Sequence, residues 1–237
     1  MLAAPWPAPP ATVALPPDDV HVWRVRLDLP PDALAELADT LSSDEHVRAA
    51  RFRFARDRAR AIAARGQLRA ILGRYLRRSP RRVRFASGPH GKPHLAVPTG
   101  RAALRFNLAH AEDLALVAVA WRREVGVDVE RERGDRVDLD VARRMFPPED
   151  VRALEALAPA LRQRAFFALW TAREAYAKGT GLGLSDEAAE ALPASWTVRQ
   201  LPIDAGFAAA VAVEGHAARV RCWNAAGAAA GAERLAS

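Results

Sequence analysis

Two long segments with helical periodicity, residues 57–77 and 160–178, begin about 100 residues apart, and each is followed by short runs of strand character. The first carries Ile62, Leu68, Ile71, Leu72 and Tyr75 and stops at Ser79-Pro80. The second carries Phe166, Phe167, Leu169, Trp170 and Tyr176 and stops at Gly179, Gly181 and Gly183, a residue type suited to helix C-termini. Ahead of the first, residues 21–29 alternate Trp23, Val25 and Leu27 against Val22, Arg24, Arg26 and Asp28, a period-2 strand. Pro30-Pro31-Asp32 opens a helix toward Ser42, and residues 45–55 make a short basic helix. Strands are predicted at 83–86, 104–108, 114–121 and 125–130, with a turn-rich stretch at 88–93. Helices at 139–145 and 148–157 lead into the second long helix, and strands at 196–201, 207–213 and 220–223 follow. Each half is a set of helices and short strands around one long helix. The pattern predicts an α+β fold of two similar lobes, each a small antiparallel sheet packed on a long helix, with a seam near residues 122–126.

The expected organisation is a disordered, Pro/Ala-rich arm over residues 1–17, a first lobe over 18–124, a second over 125–224 and a flexible tail over 225–237. A chain of 237 residues is long enough to give each lobe its own core. No run of 18 apolar residues appears, so no membrane span is expected. The start lacks a basic stretch leading into an apolar one, so no secretory leader is expected and the cytoplasm is the default compartment. The single cysteine, Cys222, excludes a disulfide framework or a cysteine zinc cage, and reads as a small core residue on the last strand. The net charge of +7 favours an anionic partner. Yet of 35 basic residues only Lys92 and Lys178 are lysine, and the chain is rich in alanine. A codon bias explains the arginine excess, so the two surviving lysines say more than the total charge.

Asp128 and Glu130 share one face of the strand Gly126-Val127-Asp128-Val129-Glu130, with Val127 and Val129 on the other. Two adjacent carboxylates repel unless neutralised, and a hard divalent cation such as Mg²⁺ does that. The alternative is a solvated edge strand paired with Arg131 and Arg133. Glu174 and Lys178 stand at i and i+4 on the second long helix. On an exposed face such a pair is worth only about 0.3–0.5 kcal/mol. Among Phe166, Phe167, Leu169, Trp170 and Tyr176, however, a lysine is a compact cation able to give a proton to a leaving group. Lys92, in the turn Gly91-Lys92-Pro93, can reach a phosphate or simply sit in an exposed loop. His110 can contact a phosphate or close a strand end, and the arginines from Arg48 to Arg65 can be solvated surface.

The order of these pieces is more specific than any one of them. Arg51-Phe52-Arg53-Phe54-Ala55-Arg56-Asp57-Arg58-Ala59-Arg60, Gly91-Lys92-Pro93, Phe106-Asn107-Leu108-Ala109-His110, Gly126-Val127-Asp128-Val129-Glu130 and the run from Trp170 to Lys178 follow one another along the chain. In this the chain resembles the 4′-phosphopantetheinyl transferases of the larger, two-lobed class, over about residues 20–223. Two positions depart from that family's usual pattern: Arg173 stands where a lysine is usual, and Ala109 where a serine precedes the histidine.

The resemblance implies two α+β lobes with coenzyme A in the cleft between them. It implies transfer of the 4′-phosphopantetheine group to a serine of an apo acyl or peptidyl carrier protein, with release of 3′,5′-ADP. It implies Mg²⁺, with Mn²⁺ as an alternative, held by Asp128, Glu130 and Glu174. Glu174 and Lys178 become the catalytic pair, with Glu174 accepting the serine proton and Lys178 neutralising or protonating the leaving phosphate. Arg48, Arg60, Lys92, Pro93, His110 and Lys178 become the coenzyme A contacts. A monomer is expected, since one chain supplies both walls of the cleft. Two other readings stand beside this one. A basic nucleic-acid-binding protein fits the charge but lacks a zinc, helix-turn-helix or RNP signature. A catalytically weak coenzyme A-binding homologue has only Ala109 and Arg173 in its favour.

Overall fold

The computed structural model describes residues 6–88, 91–96, 104–132, 139–183, 192–216 and 218–225. The first unit opens with strand β1 (Asp19–Arg26) and helices α1 (Pro31–Ala38), α2 (Ser43–Ala50) and α3 (Ala55–Leu76). A short hairpin, β2 (Phe85–Ser87) and β3 (Pro93–Leu95), and strands β4 (Leu104–Ala111) and β5 (Leu114–Trp121) complete it. The second unit runs β6 (Val125–Arg131), α4 (Leu139–Met145), α5 (Pro148–Ala156), α6 (Pro159–Thr180), β7 (Trp196–Gln200) and β8 (Phe207–Glu214). The last strand is β9 (Arg219–Asn224).

The sheets make the duplication explicit. In the first, β5 lies antiparallel between β4 and β1; in the second, β8 lies antiparallel between β7 and β6. With the β2–β3 hairpin of the first unit set aside, both units wire one strand, three helices and two further strands in the same order, and the sequence-derived α+β architecture of two lobes stands. The expected boundary differs in one respect. Residues 219–224, assigned with the second lobe, run parallel to β1 and extend the first sheet, Trp23 pairing with Trp223. No local pattern announces which sheet a strand will join.

Alternation sorts the strands into layers. Val20, Val22, Leu114, Leu116 and Ala118 from the first sheet meet Val125, Val127, Val129, Val211 and Val213 from the second in one buried core. Trp23, Val25, Val117 and Val119, on the first sheet's other face, pack on Leu68, Ile71, Leu72 and Leu76 of α3. Ala210 and Ala212, on the second sheet's other face, pack on Ala175 of α6. The order is helix, sheet, sheet, helix. Cys222 packs at the edge of the intersheet core, and burial pushes its thiol up to about 11.

The N-terminal arm departs from the expected disorder. Residues 6–16 form no helix or strand, yet Trp6 is buried in the intersheet core and its indole N–H donates to the Pro202 carbonyl at 2.5 Å. Val13 and Leu15 pack against the α3 core, and the Asn224 N–H donates to the Pro7 carbonyl at 2.8 Å. Proline content argues for an extended chain, and one tryptophan is enough to dock it. Residues 1–5 of the expected arm and 226–237 of the expected tail lie outside the described residues. Among the described residues, no helix is long and apolar enough to cross a membrane.

The second lobe depends on one close approach. A Cβ on Gly126 of β6 would stand 1.9 Å from the Ala175 carbonyl oxygen and 2.3 Å from the Gly179 nitrogen, both backbone atoms of α6. Gly179 is also close-packed, since a Cβ there would meet the Trp196 ring at 2.6 Å and the Gly126 nitrogen at 3.2 Å. Backbone cannot yield as a side chain can, so Gly126→Ala must push α6 off the sheet. The expected loss is at least about 3 kcal/mol of unfolding free energy, near or above the usual cost of overpacking. A urea midpoint within error of the wild type would contradict this packing.

Candidate functional site

Because Gly126 brings α6 so close, the next residues on the same face of β6, Asp128 and Glu130, lie under the helix at Glu174 and Lys178. The Lys178 ammonium donates to Asp128 Oδ1 at 2.5 Å and stands 3.9 Å from Glu174 Oε2. Asp128 is only 1% exposed, and its other oxygen, Oδ2, has no hydrogen-bond partner. The Trp170 side chain hydrogen-bonds Glu130 from one helical turn before Glu174.

Negative charge exceeds positive charge here, and burial, before any charge, raises the proton affinity of each acid. Burial pushes Asp128 above the ordinary carboxylate range, although Lys178 opposes the rise. Burial also raises Glu130, with the charges of Asp128 and Glu174 adding to it. Burial raises Glu174, with Lys178 opposing and Asp128 adding. Three raised carboxylates and one orphaned oxygen suit a hard divalent cation by donor chemistry. Among the described residues no three acidic, histidine or cysteine side chains are already arranged as a metal cluster. Lys178 occupies one Asp128 oxygen instead.

On the first-lobe side, Leu27, Phe52, Arg56, Asp57, Arg60, Ala61, Ala64, His110 and Glu112 line a cleft of about 490 Å³. Arg60 crosses to Asp28 with two hydrogen bonds of 2.6 Å, which aims its guanidinium. His110, near the end of β4, lines the cleft. Its pKa is lowered first by burial and then by the charges of Lys178 and Arg60. Arg60 and His110 thus line this cleft, whereas Asp128, Glu130, Glu174 and Lys178 gather between β6 and α6 and are not among its lining residues.

The remaining expected residues go elsewhere. Arg48 is exposed, pairs with Asp44 one turn back, and does not line the cleft. Lys92 donates to Glu124 Oε2 at 2.9 Å and to the Gly179 carbonyl at 2.5 Å, closing the C-terminal end of α6 where a cation is favoured. Pro93 begins β3, opposite Ser87, and neither Lys92 nor Pro93 lines the cleft. The two departures also find their places. Ala109 is buried in the intersheet core, turned from His110 by strand alternation. Arg173 is buried, lies over the Phe146 ring at 5.7 Å and stands 4.0 Å from Asp150, so it ties α6 to α5. Neither substitution alters the acidic cluster.

One residue escaped the sequence reading. Asn107 is buried in β4, and its Oδ1 accepts the Val127 N–H of β6 at 3.0 Å. It sits inside a quoted motif, but an amide inside a strand gives no periodic signal.

Comparison with known proteins shows the family. The family described as the 4′-phosphopantetheinyl transferase superfamily matches residues 124–223, and that described as 4′-phosphopantetheinyl transferase, N-terminal, matches residues 30–122. The chain is 40% identical over 236 residues to the 4′-phosphopantetheinyl transferase HetI of Nostoc sp., covering 94% of this chain and 100% of that one. It is 30% identical over 235 residues to a phosphopantetheinyl transferase of Thraustochytrium sp., covering 86% and 81%.

The charge imbalance is directly testable. A carboxyl with a raised pKa stabilises the fold in its protonated form, below the ordinary carboxylate range, and that contribution is lost as pH rises through the raised value. Glu130→Gln mimics the protonated form and keeps an acceptor for Trp170. Without divalent cation it is expected to raise the melting temperature by a few degrees at pH 7.5, with the gain vanishing toward pH 4. An unchanged or lower melting temperature at pH 7.5 would contradict the imbalance.

Proposed function

The chain belongs to the 4′-phosphopantetheinyl transferase superfamily and is an enzyme that moves phosphopantetheine from coenzyme A to carrier proteins, and we propose that the two walls of its site divide this work. In this proposal the first lobe, residues 18–124, holds the nucleotide end of coenzyme A. The second, spanning residues 125–214 once β9 is counted with the first sheet, carries the chemistry. The observation that supports this most is the gathering of Asp128, Glu130, Glu174 and Lys178 between β6 and α6, in a chain whose first lobe has a cleft lined by Arg60 and His110.

The carrier's serine hydroxyl gives its proton to Glu174 as its oxygen bonds to the β-phosphorus of coenzyme A. The bond from that phosphorus to 3′,5′-ADP breaks. Glu174 suits the role because burial raises its proton affinity above that of an exposed glutamate. Lys178, one turn on, offers positive charge to the departing phosphate oxygen and can leave Asp128 to do so. Asp128, Glu130 and Glu174 are the residues that would hold Mg²⁺, or Mn²⁺ in its place. Such an ion, when bound, polarises phosphoryl oxygens and offsets their charge. His110 and Arg60 bind phosphate at the nucleotide end. Arg48, Lys92 and Pro93 join them only if Arg48 leaves Asp44 and Lys92 leaves Glu124. Both walls come from one chain, which supports action as a monomer.

Glu174→Gln tests the assignment. It removes the proton acceptor with little change of shape, so transfer to an apo carrier should fall by roughly 10²–10⁴-fold. Coenzyme A affinity, measured by calorimetry, should stay within several-fold of the wild type. Near-normal turnover of the variant would remove Glu174 from the role of base.

A further inference from the structure

Two open sheet edges meet at the junction of the lobes. β4 ends the first sheet and β6 ends the second, and the two pack against each other. Among the described residues, no backbone ladder joins them. An edge strand leaves backbone N–H groups to be satisfied, and a buried one left unpaired is costly. Here the Val127 N–H is met by Asn107 Oδ1 at 3.0 Å, in a buried contact between lobes. Asn107 lies on the β4 face that carries Ala109 and Ala111 into the apolar intersheet core. A buried amide in such a place is expensive unless it is hydrogen-bonded.

The consequence follows from chain position. His110 is three residues beyond Asn107 on β4, and Asp128 directly follows Val127 on β6. One hydrogen bond therefore sets where the cleft histidine stands relative to the buried aspartate. Apolar contact between the sheets permits sliding, because it has no direction, whereas an amide-to-peptide bond has a fixed length and angle. We propose that Asn107 is a positioning residue, which fixes the register of the nucleotide-holding wall against the acidic wall through the Val127 peptide. This rests on the transferase reading for its activity consequence, while the hydrogen bond itself does not.

The test compares Asn107→Leu, similar in size but without an acceptor, and Asn107→Asp, which keeps an oxygen in the same place. Amide hydrogen exchange comes first. In the leucine variant Val127 should exchange at least about tenfold faster, while other core amides such as Val117 keep their protection. For transfer, kcat should fall about tenfold or more, with the Kd for 3′,5′-ADP within about twofold of the wild type, since that ligand needs only the first wall. Asn107→Asp should recover part of both losses. A folded leucine variant with wild-type Val127 exchange, or with wild-type kcat, would overturn the proposal. So would equal loss of protection at all core amides, which marks a general structural role. If the wild type itself transfers nothing, the transferase reading fails, and Val127 exchange still decides whether Asn107 fixes the junction.

Discussion

The contact between Gly126 of β6 and the backbone of α6 underlies the rest of the second lobe. The helix lies so close to the strand that no side chain fits at residue 126. From there, strand geometry places Asp128 and Glu130 on the same face, and helix geometry places Glu174 and Lys178 one turn apart. The result is a buried carboxylate held by a lysine, with two further acids nearby and too little positive charge to balance them. A wider gap between helix and sheet would admit water and restore ordinary proton affinities. The close approach therefore makes the chemistry as well as the packing.

The duplication gives an internal comparison. The same order of strands and helices builds both lobes, and β1 corresponds to β6 as α3 does to α6. On β1 the face toward the helix carries Trp23 and Val25, which fill a conventional apolar core. On β6 that face carries Gly126, Asp128 and Glu130. One architecture thus supplies a stable wall on one side and an electrostatically strained site on the other. Acids that destabilise the free protein are understandable where a divalent cation would bring the missing positive charge. Arg60 and His110 line a cleft of the stable lobe, and Asn107 spans the junction between the lobes.

Much of this was legible in the sequence, for identifiable reasons. Long helices and strands announce themselves by period, so α3, α6, β5 and β6 fell close to their expected bounds. The acid strand and the Glu174-Lys178 pair were legible because spacing alone puts them on shared faces. Tertiary choices were not. β3 was not expected: it is three residues long and begins at Pro93, where the turn-rich stretch ends and no N–H is available for a ladder. The parallel pairing of β9 with β1 has no local signature. Lys92 was expected at a phosphate because of its motif, whereas Glu124 and the end of α6 hold it. Arg173 was a departure from a pattern until Phe146 and Asp150 gave it a place.

The central claim is that this one chain brings a nucleotide-holding wall and an acidic wall together for phosphopantetheine transfer. Intact-mass measurement of an apo carrier protein, incubated with the purified chain, coenzyme A and Mg²⁺, tests it most directly. The expected result is a carrier heavier by one phosphopantetheine group, with 3′,5′-ADP released in equal amount and no change when coenzyme A is omitted. Unmodified mass across several unrelated carriers, from a folded preparation, would contradict the account.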